Sequence, residues 1–203
     1  MNAISAIKAD GTGRPDFDAI AAWIPRGAHV LDLGCGDGTL LRFLQEQRAV
    51  TGYGVDINDG NVLACVRNGV QVIQSDLERG LSDFDDHSFD FVLLSQTLQA
   101  MRNTEHIVRE MLRVGRAGIV TFPNFGYWKN RLRVLGGRMP LSKNLPYAWF
   151  DTPNIHLCTI RDFEDFCAGR GIRITGRTVL TGSEPVTHRA NLFGELAIYQ
   201  FTT

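Results

Sequence analysis

Three glycines at alternate positions, Gly34, Gly36 and Gly38, follow an apolar run that contains one acidic residue, Asp32. Glycine adopts positive φ angles without strain and lets a ligand approach the backbone, so this pattern is typical of a strand that runs into a tight turn. Apolar side chains then recur at helical spacing between residues 39 and 47. The turn is therefore predicted to open a helix, whose unpaired N–H groups and dipole favour a negatively charged ligand group.

The spacing of these glycines narrows the ligand class. The motif reads G-x-G-x-G, whereas a dinucleotide fingerprint reads G-x-G-x-x-G and a phosphate loop requires a lysine after its last glycine. Asp56 ends a second apolar run, at about the 20-residue offset where ribose-binding carboxylates occur in nucleotide-binding α/β folds. The alternatives are a glycine-rich turn without a ligand and a helix cap at Asp56, although Asn58 can also cap that helix. The combination favours a nucleoside-type ligand.

The order of elements predicts an α/β fold. The predicted strands of the first part are 28–33, 50–56, 70–74, 89–95 and 117–122. Helical patterns separate them, which is typical of right-handed βαβ crossovers and hence of a Rossmann-like, mostly parallel, doubly wound sheet. Two later strands, at 172–181 and 196–201, are predicted to form an antiparallel edge. Because ligands bind where the carboxyl ends of parallel strands meet, we expect the functional residues to share that edge.

The chain is predicted to form a single domain, 1–203, with a basic and aromatic insertion at about 124–158. No acidic residue occurs between Glu110 and Asp151, while aromatic residues alternate there with arginine and lysine. Three interpretations stay open: an active-site cap, a protein interface with aromatic and arginine anchors, and a solvated helix over 127–135 whose aromatic residues pack into the sheet. Nucleic-acid binding is disfavoured, because the net charge of the chain is −1.

Composition predicts a cytoplasmic protein without a membrane segment. Residues 1–5 lack the charged and apolar regions of a secretory signal, and no apolar run approaches the ~20 residues that a membrane helix needs. The four cysteines form no C-x-x-C pair, so they are predicted to be reduced thiols. No cluster of His, Cys, Asp and Glu has metal-ligand spacing, and no metal site is therefore predicted.

The glycine motif together with Asp32 and Asp56 resembles the first motif of class I S-adenosylmethionine-dependent methyltransferases. Several other segments together resemble one family, the MetW proteins of methionine biosynthesis. These segments are 94–100, 122–128, 137–140, 145–147 and 149–159. Because the likeness covers almost the whole chain, the chain is identified as a member of the MetW family, with a class I methyltransferase fold.

The resemblance implies that the chain binds S-adenosylmethionine or S-adenosylhomocysteine. The glycines are expected to border the methionine part of the ligand, Asp56 the ribose and Asp76 the adenine. The predicted ligand-binding residues are Asp32, Gly34, Cys35, Gly36, Gly38, Asp56, Ile57, Asp76, Leu77 and Ser95. No catalytic role is assigned to Cys35, because nothing near it in the sequence would lower the pKa of its thiol.

The resemblance also implies a partner, MetX, the homoserine O-acyltransferase of methionine biosynthesis. The expected role is to support or regulate that acyltransferase through a protein contact, with S-adenosylmethionine signalling the supply of downstream product. A genuine methyltransferase with an unidentified small-molecule acceptor is the alternative. Residues 95–101 contain no carboxylate, histidine or tyrosine that could act as general base, and His106 and His156 are the nearest candidates. The catalytic residues, the partner's acyl donor and the oligomeric state stay open.

Overall fold

The computed structural model describes residues 13–203, so the predictions about residues 1–12, including the absence of a secretory signal, lie outside the described part. The helices of that part are α1 (Pro15–Trp23), α2 (Thr39–Arg48), α3 (Asp59–Arg67), α4 (Thr104–Val114), α5 (Trp128–Leu135), α6 (Ile160–Gly169) and α7 (Ala190–Phe193). The strands are β1 (His29–Leu33), β2 (Thr51–Asp56), β3 (Val72–Gln74), β4 (Phe89–Ser95), β5 (Gly115–Pro123), β6 (Arg173–Thr181), β7 (Glu184–Pro185) and β8 (Leu196–Thr202). Short 3-10 helices follow β3 and β4 at Leu77–Arg79 and Leu98–Ala100.

The strands form one eight-stranded sheet in the order β3-β2-β1-β4-β5-β8-β6-β7. Strands β1 to β5 are parallel, whereas β8 pairs antiparallel with both β5 and β6. The chain reverses its winding direction between β1 and β4, which is the switch point where doubly wound sheets bind ligands. The predicted Rossmann-like fold with an antiparallel edge is therefore confirmed. The assignment of 1–203 to a single domain with an insertion stays a prediction.

The two faces of the sheet pack against separate layers of helices. Val30 lies in a cluster with Ile20 of α1 and Leu41 of α2, whereas the next residue, Leu31, lies in the cluster that contains Phe163 of α6. Successive side chains of a strand point to opposite faces, so a strand covered on both sides consists almost entirely of apolar residues. This burial explains why apolar runs mark β1 and β4 so clearly in the sequence.

Helix starts follow the capping residues that precede them. The Asn58 side chain accepts a hydrogen bond from a backbone N–H of α3 at 3.1 Å. At the start of α6, Thr159 and Asp162 form a capping box, with each side chain bound to the other residue's backbone N–H at 3.2 and 2.8 Å. These caps satisfy helix N–H groups that have no partner within the helix. They therefore determine the residues at which α3 and α6 begin.

The structure differs from the sequence-based expectations at short elements. The third predicted strand, 70–74, begins only at Val72, because the N–H of Val70 donates to the carbonyl oxygen of Cys65 at 2.9 Å and closes the end of α3. Strand β7 and helix α7 contain too few residues to produce a periodic pattern, so they were absent from the prediction. None of the helices in residues 13–203 has the length and hydrophobicity to cross a membrane.

Candidate functional site

The loop between β1 and α2 adopts a backbone conformation that requires its glycines. The φ angles are 65° at Gly34, 58° at Gly36 and 78° at Gly38, a region that strains residues with a side chain. A Cβ at Gly34 would lie 2.7 Å from the side chain of Thr97, whereas one at Gly36 would meet no atom of the described chain within 4 Å. The backbone of Gly36 therefore borders open space at the carboxyl edge of the sheet.

Asp56, at the end of β2, holds this loop in place. Its Oδ2 accepts the N–H of Gly36 at 2.9 Å, and its Oδ1 accepts the N–H of Asn58 at 2.9 Å and the amide of Asn61 at 3.1 Å. The residue is only 7% exposed. Because a carboxylate oxygen can accept two hydrogen bonds, Oδ2 has capacity for one more donor. Asn58 provides the cap of α3, so the alternative role of Asp56 as that helix cap is not observed.

Asp32, on β1, is a buried carboxylate with an unsatisfied oxygen. It is 1% exposed, and among residues 13–203 its Oδ1 has no hydrogen-bond partner. Burial, followed by repulsion from the charge of Asp56, raises the pKa of Asp32 to about 7. A buried oxygen without a donor is costly, so this position is suited to a ligand that brings a cationic or hydrogen-bonding group.

Cys35 lies within the glycine loop and faces Cys65 of α3. The two Sγ atoms are 3.7 Å apart, and the Cys65 thiol also donates to the carbonyl oxygen of Gly36 at 3.2 Å. Burial raises the pKa of both thiols, and the charge of Asp32 adds to the rise at Cys35. Raised pKa values keep both sulfurs protonated and poorly nucleophilic, which agrees with a packing role for Cys35.

The remaining predicted residues lie at the same edge but differ in exposure. Asp76 follows β3, and its Oδ1 accepts the N–H of Glu78 at 3.0 Å. Leu77 is buried in the hydrophobic core, whereas Ile57 is 62% exposed. Ser95 ends β4, where its Oγ lies 3.1 Å from the hydroxyl of Thr121. Parallel pairing of β1 to β4 brings these positions together, and contact of each with a ligand stays a prediction.

The segment after β4 is fixed by amide and backbone groups. Gln96 has a positive φ of 52°, and its N–H donates to the carbonyl oxygen and hydroxyl of Thr121 at 2.9 and 3.0 Å. Gln99 is 8% exposed and donates to the Gln96 carbonyl oxygen at 2.7 Å. The carbonyl oxygen of Gln99 accepts the N–H groups of Ile155 and His156 at 2.8 and 2.9 Å. The end of the insertion is thereby attached to the sheet edge beside the glycine loop.

Asn124 attaches the start of the insertion, a role that the sequence did not reveal. Its side chain is fully buried, and its Nδ2 donates to the carbonyl oxygens of Asn191 and Gly194 at 3.2 and 2.8 Å. Its Oδ1 accepts the N–H groups of Gly126 and Ile160 at 3.0 and 3.2 Å. One amide therefore ties β5, the insertion, α6 and α7 together.

The aromatic residues of the insertion separate into buried and exposed groups. Tyr127 is 5% exposed, so its predicted grouping with interface anchors is corrected to a packing role. Trp128, Trp149 and Phe150 are 38, 73 and 75% exposed, so the interpretation that both tryptophans pack into the core is wrong.

His156 lies near the end of the insertion. Its ring nitrogen Nε2 is 3.3 Å from the carbonyl oxygen of Arg102, and this contact anchors the end of the insertion.

A cavity of about 690 Å³ lies at the opposite edge of the sheet, between α4 and α6. Its arginines are already paired: Arg109 and Arg170 contact Glu105 at 3.0 and 2.6 Å, and Arg113 contacts Asp86 at 2.7 Å. These pairs occupy the charges that a ligand would need. This cavity is larger than the cavities near the carboxyl edge of the sheet, but its charges are already paired, so we place the functional site at the carboxyl edge.

A family model described as "Methionine biosynthesis protein MetW" matches residues 14–201. The chain belongs to the MetW family. The Bifunctional methionine biosynthesis protein MetXA/MetW of Rhodopirellula baltica is 40% identical over 170 residues, which cover 79% of this chain and 27% of that relative. The chain thus spans about a quarter of the length of this curated relative.

Solved structures with this fold include enzymes named as SAM-dependent methyltransferases. The one from Mesorhizobium loti has a TM-score of 0.69 at 18% identity, covering 96% of this chain and 99% of that chain. The one from Thermotoga maritima has a TM-score of 0.67 at 17% identity, covering 94% and 88%. Identities this low show the fold alone, and the MetW chain has the class I methyltransferase fold.

Proposed function

We propose that this MetW chain binds S-adenosylmethionine or S-adenosylhomocysteine at the glycine loop, as part of methionine biosynthesis. The observation that carries the proposal is the buried Asp32 oxygen, which has no donor among residues 13–203, next to a loop whose Gly36 backbone borders open space. The ammonium of the ligand's methionine part would supply a charged partner for Asp32. A ribose hydroxyl would donate to Asp56 Oδ2, and Asp76 would lie near the adenine.

Binding of this ligand is tested by calorimetry with S-adenosylhomocysteine, which carries the same ammonium and ribose without the reactive sulfonium. We expect saturable binding by the wild-type chain and its loss when Gly36 is replaced by valine, because a branched side chain is strained at positive φ and fills the open space. Gly137 also has a positive φ, of 73°, but lies in the insertion, so Gly137→Val is a matched control for backbone strain. Absence of binding to the wild-type chain at millimolar ligand would refute the cofactor proposal.

We further propose that the chain acts with a homoserine O-acyltransferase of the MetX type. The name of the Rhodopirellula baltica relative joins MetXA and MetW in one bifunctional protein, which supports a functional association. Helix α5 offers a surface for such a contact, because its apolar residues face outwards: Trp128, Leu132 and Leu135 are 38, 57 and 83% exposed. Its buried residue is Asn130, so the usual amphipathic arrangement is inverted.

The positive charge of the insertion indicates what kind of protein surface would bind it. Residues 111–150 contain no carboxylate, and Lys129, Arg131 and Arg133 follow the exposed Trp128 along the chain. Such a patch is complementary to an acidic surface with apolar pockets, where tryptophan serves as an anchor and arginine provides bidentate contacts. Co-purification of the chain with a homoserine acyltransferase, and acyltransferase rates measured with and without the chain, test the association. Unchanged rates together with no co-purification would contradict it.

A genuine methyltransferase that acts on a small molecule is the second candidate. It is favoured by the fold and by a carboxylate, Glu195, that lines cavities near the end of β4. S-adenosylmethionine, when bound, supplies an electrophilic methyl group, and the chain would have to position an acceptor in line with it. Incubation with labelled S-adenosylmethionine and candidate acceptors separates this function from a regulatory one.

A further inference from the structure

Two cavities near the carboxyl edge of the sheet share three lining residues, Lys143, Asn144 and Glu195. One cavity, of about 300 Å³, also reaches Gln96 after β4, and the other, of about 290 Å³, reaches Tyr127 before α5. Neither is lined by the glycine loop, so an occupant would be distinct from the nucleoside ligand proposed above. The volumes lie at the lower end of those of small-molecule sites, which favours a small ligand.

A tight turn in the insertion presents Lys143, the cationic residue that both cavities share. The N–H of Ser142 donates to the carbonyl oxygen of Leu145 at 3.0 Å, and the N–H of Leu145 donates back at 3.1 Å. The Ser142 hydroxyl accepts the same Leu145 N–H at 3.1 Å, and Leu145 itself is 7% exposed. Lys143 and Asn144 therefore lie at the tip of an anchored turn.

The acidic residue, Glu195, is held by its backbone and has no cationic partner in the described part of the chain. The N–H of Glu195 donates to the carbonyl oxygen of Leu180, and its carbonyl oxygen accepts the N–H of Asn124, both at 2.8 Å. Its Oε2 accepts one long hydrogen bond, from the N–H of Gly182 at 3.4 Å. Among residues 13–203 no ion pair of 4.0 Å or less joins Glu195 or Lys143 to any charged group.

Other charged residues line only one of the two cavities each. Arg14 and Asp16 line the first cavity, where they pair with each other at 2.7 Å, and Lys129 and Arg133 line the second. Glu195 and Lys143 line the same two cavities and yet do not pair, so unlike charges face a shared space. A ligand with one sign of charge would leave one of them unmatched, whereas a zwitterion satisfies both.

We propose that these cavities form a binding site for a free α-amino acid. Its ammonium contacts the Glu195 carboxylate, and its carboxylate contacts the Lys143 ammonium, with Asn144 available for hydrogen bonding to either group. The inference rests neither on binding of a nucleoside ligand nor on a partner protein.

The test is calorimetry on the full chain with L-methionine and L-homoserine as probes. At least one should bind with millimolar affinity or better. N-acetyl-L-methionine lacks the ammonium, and L-methionine methyl ester lacks the carboxylate, so each should bind at least about tenfold more weakly than L-methionine if that is the probe that binds. If L-homoserine is the one that binds, L-homoserine methyl ester and 4-hydroxybutyrate serve as the corresponding derivatives.

Two substitutions connect such binding to the named residues. Glu195→Gln keeps an oxygen for the N–H of Gly182 and removes only the charge, and Lys143→Gln removes the opposite charge. Each should weaken binding by about tenfold or more, whereas Glu184→Gln on exposed β7, outside both cavities, should have no effect. Calorimetry with S-adenosylhomocysteine on the same variants reports separately on the nucleoside site. No binding of either probe at about 10 mM, or unchanged binding by both cavity variants, would overturn the proposal.

Discussion

Asp32 and Asp56 lie at one glycine loop, yet their carboxylates are in opposite hydrogen-bonding states. Asp56 accepts three hydrogen bonds from the chain, whereas Asp32 Oδ1 accepts none within residues 13–203. Donors stabilise the ionised form of a carboxylate, and burial without donors destabilises it. The two residues are therefore suited to different tasks, with Asp56 shaping the loop and Asp32 responding to what enters it.

Replacing Asp56 by alanine should weaken binding of S-adenosylhomocysteine by roughly ten- to hundredfold. The change removes a charge-assisted acceptor worth about 1.5–3 kcal/mol and also releases the N–H of Gly36. Asp59→Ala, three residues along the chain and exposed, is the matched control and should bind as the wild type does. Calorimetry measures the affinity, and circular dichroism verifies folding. A folded Asp56→Ala chain with native affinity would refute the ribose assignment.

Asp32 should make the stability of the unliganded chain fall with rising pH. Its pKa is about 7 in the folded chain against an ordinary value of 3.8, so between about pH 4 and 7 the folded state binds more protons at this site than the unfolded state. The free energy of unfolding should therefore fall across that window, by up to about 4 kcal/mol from Asp32 alone. Asp32→Asn should remove this component and stabilise the unliganded chain relative to wild type at about pH 8.

Urea unfolding of the two proteins at about pH 5 and pH 8 measures the difference, with Asp83→Asn on the exposed acidic turn as control. Equal pH dependence in wild type and Asp32→Asn would show that Asp32 is ionised throughout. Because a cationic ligand group favours the ionised form, binding of S-adenosylhomocysteine near pH 6 should also release a proton, which calorimetry in two buffers detects.

Residues that impose a local backbone conformation could be predicted, and residues placed by distant contacts could not. Positive φ angles favour glycine, so the alternating glycines of the loop were visible in the sequence, and Asp56 followed from its spacing. Thr97 packs against Gly34, and Glu195 reaches the cavities from the turn before β8. Those positions depend on which strands are neighbours, which no spacing rule along the chain encodes. Glu195 in particular lies far along the sequence from residues 95–101, although it lines the same cavity as Gln96.

At the level of elements, Asn124 is the side chain that attaches the insertion to the sheet. Asn124→Ala should lower the free energy of unfolding by about 2–4 kcal/mol, because the buried N–H groups of Gly126 and Ile160 and the buried carbonyl oxygen of Gly194 lose their partner. Asn154→Ala, in the same insertion but outside this network, should change it by less than about 0.5 kcal/mol. Urea denaturation of both variants is the measurement. A loss below about 1 kcal/mol for Asn124→Ala would mean that water replaces the amide at little cost.

The exposed tryptophans should matter for association and not for folding. Trp149 is 73% exposed, so Trp149→Ala should change the free energy of unfolding by less than about 0.5 kcal/mol. At an interface hot spot the same change should cost at least ~2 kcal/mol of binding to a homoserine acyltransferase, roughly thirtyfold in affinity. Trp128→Ala, at 38% exposure, should act in the same direction with a larger effect on stability.

Leu63→Ala provides the control for this experiment, since Leu63 is 57% exposed on α3, away from the insertion. Arg138→Gln should mainly alter the salt dependence of binding, as expected of a charge at the rim of an interface. Arg131 is unsuitable for that purpose, because its guanidinium donates to the carbonyl oxygen of Gly126 at 2.5 Å and supports the start of α5. Folded tryptophan variants that bind the acyltransferase with native affinity would exclude α5 and its surroundings as the interface.

Helices with an apolar face were located well from the sequence, and the direction of that face was harder to predict. Helix α4 buries its apolar residues, as periodicity predicts. Helix α5 has a comparable pattern but presents Trp128, Leu132 and Leu135 to solvent. Periodicity reports that a helix has two unlike faces, whereas the choice of face to bury depends on the surrounding chain, here on Asn124 and its hydrogen bond from Asn130.

For the molecule as a whole, we expect no rapid methyl transfer to homoserine, O-acylhomoserine or homocysteine. The segment after β4 offers amide, hydroxyl and backbone groups. The Gln99 side chain donates to the Gln96 carbonyl oxygen, Thr121 accepts the Gln96 N–H, and among residues 13–203 Gln99 Oε1 accepts no hydrogen bond. A general base in reach of an acceptor is therefore missing from that segment. Incubation with S-adenosylmethionine labelled in its methyl group, followed by separation of products, measures the rate. Turnover with any of the three would establish an enzyme and make His156→Ala the first variant to examine.

The parallel, doubly wound arrangement of the central strands could be predicted, because alternating strands and helices form right-handed βαβ units. The two later strands predict an antiparallel edge, whereas the placement of β8 between β5 and β6 could not be predicted, because sequence patterning locates a strand without identifying its neighbours. The structure therefore confirms the expected type of sheet, and it adds the order in which strands that are distant in the sequence pair with one another.

The position of β8 also determines when the sheet can be completed during synthesis. Its residues leave the ribosome more than 70 positions after those of β5, although it covers the edge of that strand. At about 5–20 residues per second, β5 presents a bare row of N–H and C=O groups for several seconds. Nascent chains translated on neighbouring ribosomes can pair through such an edge. The period of aggregation risk at this edge therefore lasts from the emergence of β5 until β8 docks on it.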